Sequence, residues 1–193
     1  MPWLMPWVIW RYSTKNKVYI TFDDGPFDDT TPWLLDYCAK ENIPITFFWL
    51  GENSVKNPDY MAQAKKAGHK VGSHGYYHFS GFDKSKLEVK ENIKKGLALV
   101  PDNLFRPPYG EITRGVAKEI TKTTPVVLWS WLSYDWDDEV DEKTILNSLT
   151  KTLKGGDILV FHENKKSEKR IKKIFPEAVK IIRNKGLEPA LIE

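Results

Sequence analysis

The sequence predicts an α/β fold: a distorted or incomplete (β/α) barrel of about seven parallel strands, built as a single domain. Short apolar runs of strand length alternate with longer segments of helical period, at the spacing of βα units rather than of an antiparallel meander. The run at 45–50 is continuously apolar, as a strand covered on both faces should be. Polar singletons stand where the runs end: Asp23 and Asp24, His74 with His78, Arg106, Asp135 and His162. In sheets of parallel strands that edge collects ligands.

Residues 1–16 read as an aromatic N-terminal arm and 17–193 as the domain. The arm's first ten residues are apolar, but they lack a basic start, carry two prolines and end at Arg11. They are therefore not read as a signal peptide, and they are too short to span a bilayer. The arm is expected to pack on the domain. The alternative is weak membrane contact, with Trp3, Trp7 and Trp10 in the headgroup layer.

Val18, Tyr19, Ile20 and Thr21 favour a strand, which Gly25-Pro26 breaks after the two acids. A Thr cap and Pro32 start a helix that ends near 40–41. Gly51 closes the strand at 45–50. A short helix follows at 59–67, then a brief strand at 70–73 that ends at His74. The segment 84–99 is helical, with Leu87, Ile93 and Leu97 near one face. Arg106-Pro107-Pro108-Tyr109-Gly110 suits neither a helix nor a central strand. A helix at 113–121, a strand at 125–131, a helix at 143–153 and a strand at 158–161 follow. The last helix spans 169–185, with Pro176 a candidate break, and the last strand spans 187–192. No repeat or linker divides the chain.

Composition narrows function. With 41% hydrophobic and 28% charged residues the 193-residue chain is globular rather than disordered. A net charge of +3 is too mild to imply nucleic acid. The single cysteine, Cys38, excludes an intramolecular disulfide framework. Eight Trp, eight Tyr and nine Phe fit a core and also a sugar-binding surface. The basic run at 165–173 reads as a solvated helix face or as an attraction for an acidic polymer.

His74 and His78 form His-x-x-x-His, which in a helical turn puts two imidazoles on one face. The Glu that follows the first His in helical zinc proteases is missing. With Asp24 added, the set has two His and one carboxylate, and three protein ligands leave a position open for water or substrate. The same triad type also holds redox iron.

Five motifs occur in order: Thr-Phe-Asp-Asp-Gly-Pro, Ser-His-Gly-Tyr-Tyr-His, Arg-Pro-Pro-Tyr-Gly, Ser-Tyr-Asp-Trp and Val-Phe-His. Together they resemble the polysaccharide deacetylases, carbohydrate esterase family four, with its nodulation-protein-B homology domain, over residues 18–192. The resemblance implies a distorted βα barrel with a divalent metal at its rim, zinc first, with Co2+, Ni2+ and Mn2+ as alternatives. It implies Asp24, His74 and His78 as ligands, Asp23 as general base and His162 as general acid. Arg106 would hold Asp23 and lower its pKa, and Asp135 would orient His162. Tyr109 would offer its backbone N–H to the oxyanion, and Trp136 would line the pocket. The motifs depart from the family pattern at Gly72, at Trp131-Leu132 and at Val160-Phe161, and none of these removes a catalytic residue. The function implied is a metal-dependent hydrolase that removes N-acetyl groups from glycans containing N-acetylglucosamine, such as peptidoglycan or chitin. The alternatives are an O-acetyl esterase on a polysaccharide such as xylan and a non-catalytic carbohydrate-binding protein on the same fold.

Overall fold

A computed structural model describes residues 5–193, so Trp3 lies outside the described residues. The centre is β1 (Lys17–Asp23), whose last six residues are all buried. It pairs in parallel with β2 (Thr46–Trp49), with β5 (Ile158–His162) and, at its start, with β6 (Glu188–Ala190). β3 (Lys70–Ser73) lies outside β2, and the two-residue β4 (Trp131–Leu132) outside β5. Single parallel bridges continue the wall from Ser73 to Phe105, then to Val126, while Ile9 of the arm bridges Val127. Because Val126 and β4 belong to one segment, the pairings close on themselves in a barrel-like ring.

The ring differs from the predicted one at 125–131, which is not a continuous strand. Arg106 explains why. Its Nε donates to Val127 O and its Nη2 to Leu128 O, each at 3.1 Å, so these carbonyls serve a buried guanidinium instead of a ladder. Among the described residues six strands form, and single bridges stand in for the remainder.

Helices α1 (Thr31–Glu41), α2 (Gly51–Lys56), α3 (Asp59–Lys66), α4 (Lys86–Leu97), α5 (Arg114–Ile120), α6 (Glu142–Thr152) and α7 (Glu168–Asn184) flank the wall. Gly51 opens α2 rather than merely ending β2. Thr30 occupies the cap position of α1 without a side-chain bond. Thr31 Oγ1 instead accepts the Phe27 N–H at 2.8 Å. In α4 the buried face is Val89, Asn92, Ile93 and Gly96, and Leu87 is 66% exposed. Pro176 does not split α7. Ile171, Ile174, Phe175, Ala178, Val179 and Ile182 are buried on both sides of it, and that apolar stripe outweighs one lost backbone bond. Val8 of the arm is buried, and Trp7 and Trp10 pack on the cluster of Val89, Ile93 and Phe105. Cys38 is buried. No helix of the described residues is long and apolar enough to cross a membrane.

Candidate active site and metal centre

The register of the sheet places the two ends of the chemistry side by side: Asp23, last in β1, is the partner of His162, last in β5. Asp24 follows in the left-handed region, at φ 76. Asn53 Nδ2 donates to its carbonyl at 2.8 Å, and Asn164 Nδ2 donates to its Oδ2 at 2.7 Å. Held in this way, the second carboxylate reaches the same cavity as the first. Tyr109 (φ 58) and Tyr134 (φ 55) are also left-handed, so three of these rare non-glycine conformations sit at one rim.

His74 and His78 come from the segment after β3. It is a bend rather than the expected helical turn, with Gly75 at φ 86. Asn92, buried on α4, braces it: its Oδ1 accepts from Tyr76 N (3.2 Å) and Tyr77 N (2.8 Å), and its Nδ2 donates to Tyr77 O (3.0 Å). Tyr76 and Tyr77 themselves face Lys95 and do not line the cavity.

Asp24 Oδ1 lies 3.6 Å from His74 Nε2 and 3.3 Å from His78 Nε2. That oxygen is buried and accepts no hydrogen bond. His74 Nδ1 sits 2.8 Å from Arg106 O, which can only accept, so Nδ1 carries the proton and Nε2 presents a lone pair. Burial pushes the His74 pKa down to about 3, which keeps the ring neutral as a ligand must be. One ligand atom from each residue fits within 4.8 Å of the others. Converging lone pairs around an orphaned carboxylate oxygen are what a divalent cation would reconcile, so the residues present fit the expected ion.

Arg106 is wholly buried. Its Nη1 donates to Asp23 Oδ1 at 2.7 Å and to Thr21 Oγ1 at 2.6 Å, and its guanidinium lies 4.1 Å from the Phe48 ring centre. As expected, Arg106 depresses the Asp23 pKa, through its charge and its hydrogen bond, but the net pKa still lies above the ordinary carboxylate value. Burial raises it, and Arg106 offsets only part of the rise. A base with a raised pKa is the stronger proton acceptor.

His162 Nδ1 is 2.8 Å from Asp135 Oδ1, and its backbone N–H donates to Asp135 Oδ2 at 2.9 Å. Burial alone would lower the imidazole pKa. The charge and hydrogen bond of Asp135, together with the charges of Asp24 and Asp23, more than offset burial, and the value rises to about 9. The Trp136 ring centre stands 4.4 Å from that of His162, and Tyr109 makes the same edge contact with His78 at 4.4 Å.

Of the expected site residues, Asp23, Asp24, His74, His78, Tyr109, Trp136 and His162 line a cavity of about 460 Å³, and Arg106 and Asp135 lie behind it. Trp129 and Leu132 line it as well, although only Trp136 was expected to. Trp131 is core. His69 is buried elsewhere, where burial lowers its pKa to about 4.

Sequence reasoning missed Asn53, Asn92, Asn164 and Glu163. Glu163 is buried behind the site and takes the Trp49 Nε1–H (2.8 Å) and the Thr31 hydroxyl (2.5 Å). Burial lifts its pKa to about 8, with those donors pulling the other way. Any Cβ at Gly25 would fall 2.3 Å from its Oε2, so only glycine fits there. Asn164 aims the carboxylate of Asp24, a candidate metal ligand, and partners of this kind are worth about ten- to a hundredfold in affinity. Asn164→Ala should therefore weaken zinc binding by about that factor in titration calorimetry of chelator-stripped protein. Unchanged affinity would reduce Asn164 to a turn former at the start of α7.

Comparison with known proteins places the chain in a family. The polysaccharide deacetylase family model matches residues 11–125, and the chain belongs to that family. A peptidoglycan-N-acetylglucosamine deacetylase of Bacillus cereus is 34% identical over 189 residues, covering 90% of this chain and 87% of the relative. The deacetylase PgdA of Listeria monocytogenes serotype 1/2a is 36% identical over 132 residues, 65% of this chain but only 28% of its own length. The crystal structure of the Bc1960 peptidoglycan N-acetylglucosamine deacetylase superposes with a TM-score of 0.85 at 28% identity, covering 100% of this chain and 94% of that one.

Proposed function

We propose that this chain is a metal-dependent hydrolase that removes N-acetyl groups from N-acetylglucosamine units of a polysaccharide or oligosaccharide of the peptidoglycan or chitin type. The observation that carries this reading is the pairing, in one cavity, of a buried carboxylate and a carboxylate-backed imidazole beside the Asp24, His74, His78 set. The relatives named for the same reaction support it.

Asp24, His74 and His78 would hold a divalent ion, for which zinc suits the mixed nitrogen and oxygen donors, with Co2+, Ni2+ and Mn2+ as alternatives. When bound, the ion supplies Lewis acidity, making a nearby water more acidic and steadying negative charge on oxygen. Asp23 takes a proton from the attacking water, and Arg106, itself held by the Thr21 hydroxyl, keeps its carboxylate aimed. The Tyr109 N–H is assigned to the oxyanion of the acetyl carbonyl. His162 gives a proton to the departing nitrogen while Asp135 keeps Nδ1–H engaged. The C–N bond breaks, the sugar leaves as an amine, and the oxygen from water stays with acetate. Trp129 and Trp136 offer flat apolar walls to a sugar ring.

The test is acetate release from acetylated chitooligosaccharides and peptidoglycan fragments. Release should stop on chelation and return with zinc or another divalent ion. If no substrate yields metal-dependent acetate, the reading fails.

A further inference from the structure

We propose that the basic segment 165–173 forms an anion subsite beside the catalytic cavity, selecting glycans that carry a carboxylate on the sugar next to the one deacetylated. The inference rests on the deacetylase reading for the polymer in the cavity. It adds a charge requirement that the catalytic residues do not impose.

Six of the nine residues are cations: Lys165, Lys166, Lys169, Arg170, Lys172 and Lys173. Their position matters more than their number. Lys165 and Lys166 line the catalytic cavity. The same two lysines, with Lys169, Arg170 and Lys173, line an adjoining depression of about 420 Å³, whose wall also holds the carboxylates of Asp138, Glu142 and Glu168. A chain longer than the catalytic cavity can hold would pass over them as it leaves.

Part of this charge is already engaged. Lys165 faces Asp29 and Glu168, Arg170 faces Asp138, and Lys173 faces Glu142. Arg170 Nη1 also donates to Asp135 O at 3.4 Å, beside the residue that orients His162. Lys166, Lys169 and Lys172 meet no carboxylate within 4 Å among the described residues. They also crowd the first turns of α7, which starts at Glu168. That is the positive end of the helix, where cations are disfavoured and an anion is welcome. A face serving solubility alone gains nothing from unpaired lysines at that end. A polyanion crossing it relieves both the lysines and the helix terminus. Lysine ammonium groups act here as point charges and set no bidentate geometry, which suits a flexible polymer.

The test uses two tetrasaccharides of equal length: neutral chitotetraose, and one that alternates N-acetylglucosamine with its 3-O-lactyl derivative. Binding to the zinc-loaded protein is measured by calorimetry at low and high salt, and acetate release is followed separately. The acidic probe should bind about tenfold tighter at low salt, the preference should fade as salt screens it, and Lys166→Ser/Lys169→Ser should bring the ratio close to one. Equal binding of both probes at low salt, or a preference that survives the double substitution, overturns the subsite. Acetate released from both probes without preference would leave the deacetylase reading standing and the subsite refuted. Salt-sensitive preference for the acidic probe with no acetate released would do the reverse.

Discussion

Arg106→Met is expected to destabilise the fold by about 3–5 kcal/mol, the range for removing one partner of a buried ion pair. Arg106 is wholly enclosed and makes hydrogen bonds with Asp23, Thr21, Val127 and Leu128. Methionine replaces the volume and none of the donors. Two carbonyls that had turned away from the sheet would lose their partner, and Asp23 would remain in an apolar setting with no countercharge. Burial already raises the Asp23 pKa, so its loss of Arg106 favours the protonated acid, and the base disappears along with the stability. The denaturant midpoint and acetate release should fall together. Adding Asp23→Asn to the variant should recover part of the stability and none of the activity, because it removes the uncompensated charge. A loss below about 1 kcal/mol in the single variant would contradict the buried-pair account.

His162→Ala should lower kcat on an N-acetyl substrate by about a hundred- to ten-thousandfold, the range for a general acid. An O-acetyl substrate should lose far less, because an alkoxide leaves with less help than an amide nitrogen. Comparable losses on both would argue that His162 does not protonate the leaving group. The pH profile adds a check with a definite sign. A His162 pKa raised to about 9 keeps the acid form through neutrality, so activity declines on the alkaline side. A bound dication offsets the part of the rise owed to Asp23 and Asp24, drawing that limb below 9. Asp135→Asn should move it lower still. The same pair stabilises the fold in full below the ordinary histidine pKa of about 6.5 and ceases to as pH rises through about 9.

The parts of the site that sequence revealed are those with distinctive chemistry at strand ends. Asp23, Asp24, His74, His78, Arg106 and His162 stand out because carboxylates, imidazoles and a guanidinium rarely end apolar runs without a task. The supporting residues were hidden by ordinary appearances. Asn164 and Asn53 look like turn and helix-end residues, and Asn92 looks like a polar position on a helix surface. Each matters only through a contact across 15 or more positions of chain, such as the 140-residue separation of Asn164 from Asp24. The broken strand at 125–131 was illegible for a related reason: its apolar run reads as a ladder until Arg106 claims two of its carbonyls. Leu87 fits a helical period, but α4 turns a slightly different stripe inward.

The left-handed backbone at Asp24 has a consequence for tolerance to heat. The proposed proton acceptor and ion ligand, Asp23 and Asp24, are consecutive residues, so their separation is set by covalent geometry and one fixed pair of dihedrals. Loosening of the helical shell would widen the entrance and blur recognition of the glycan well before it altered that spacing. Warming such a protein should therefore erode its selectivity earlier than its chemistry.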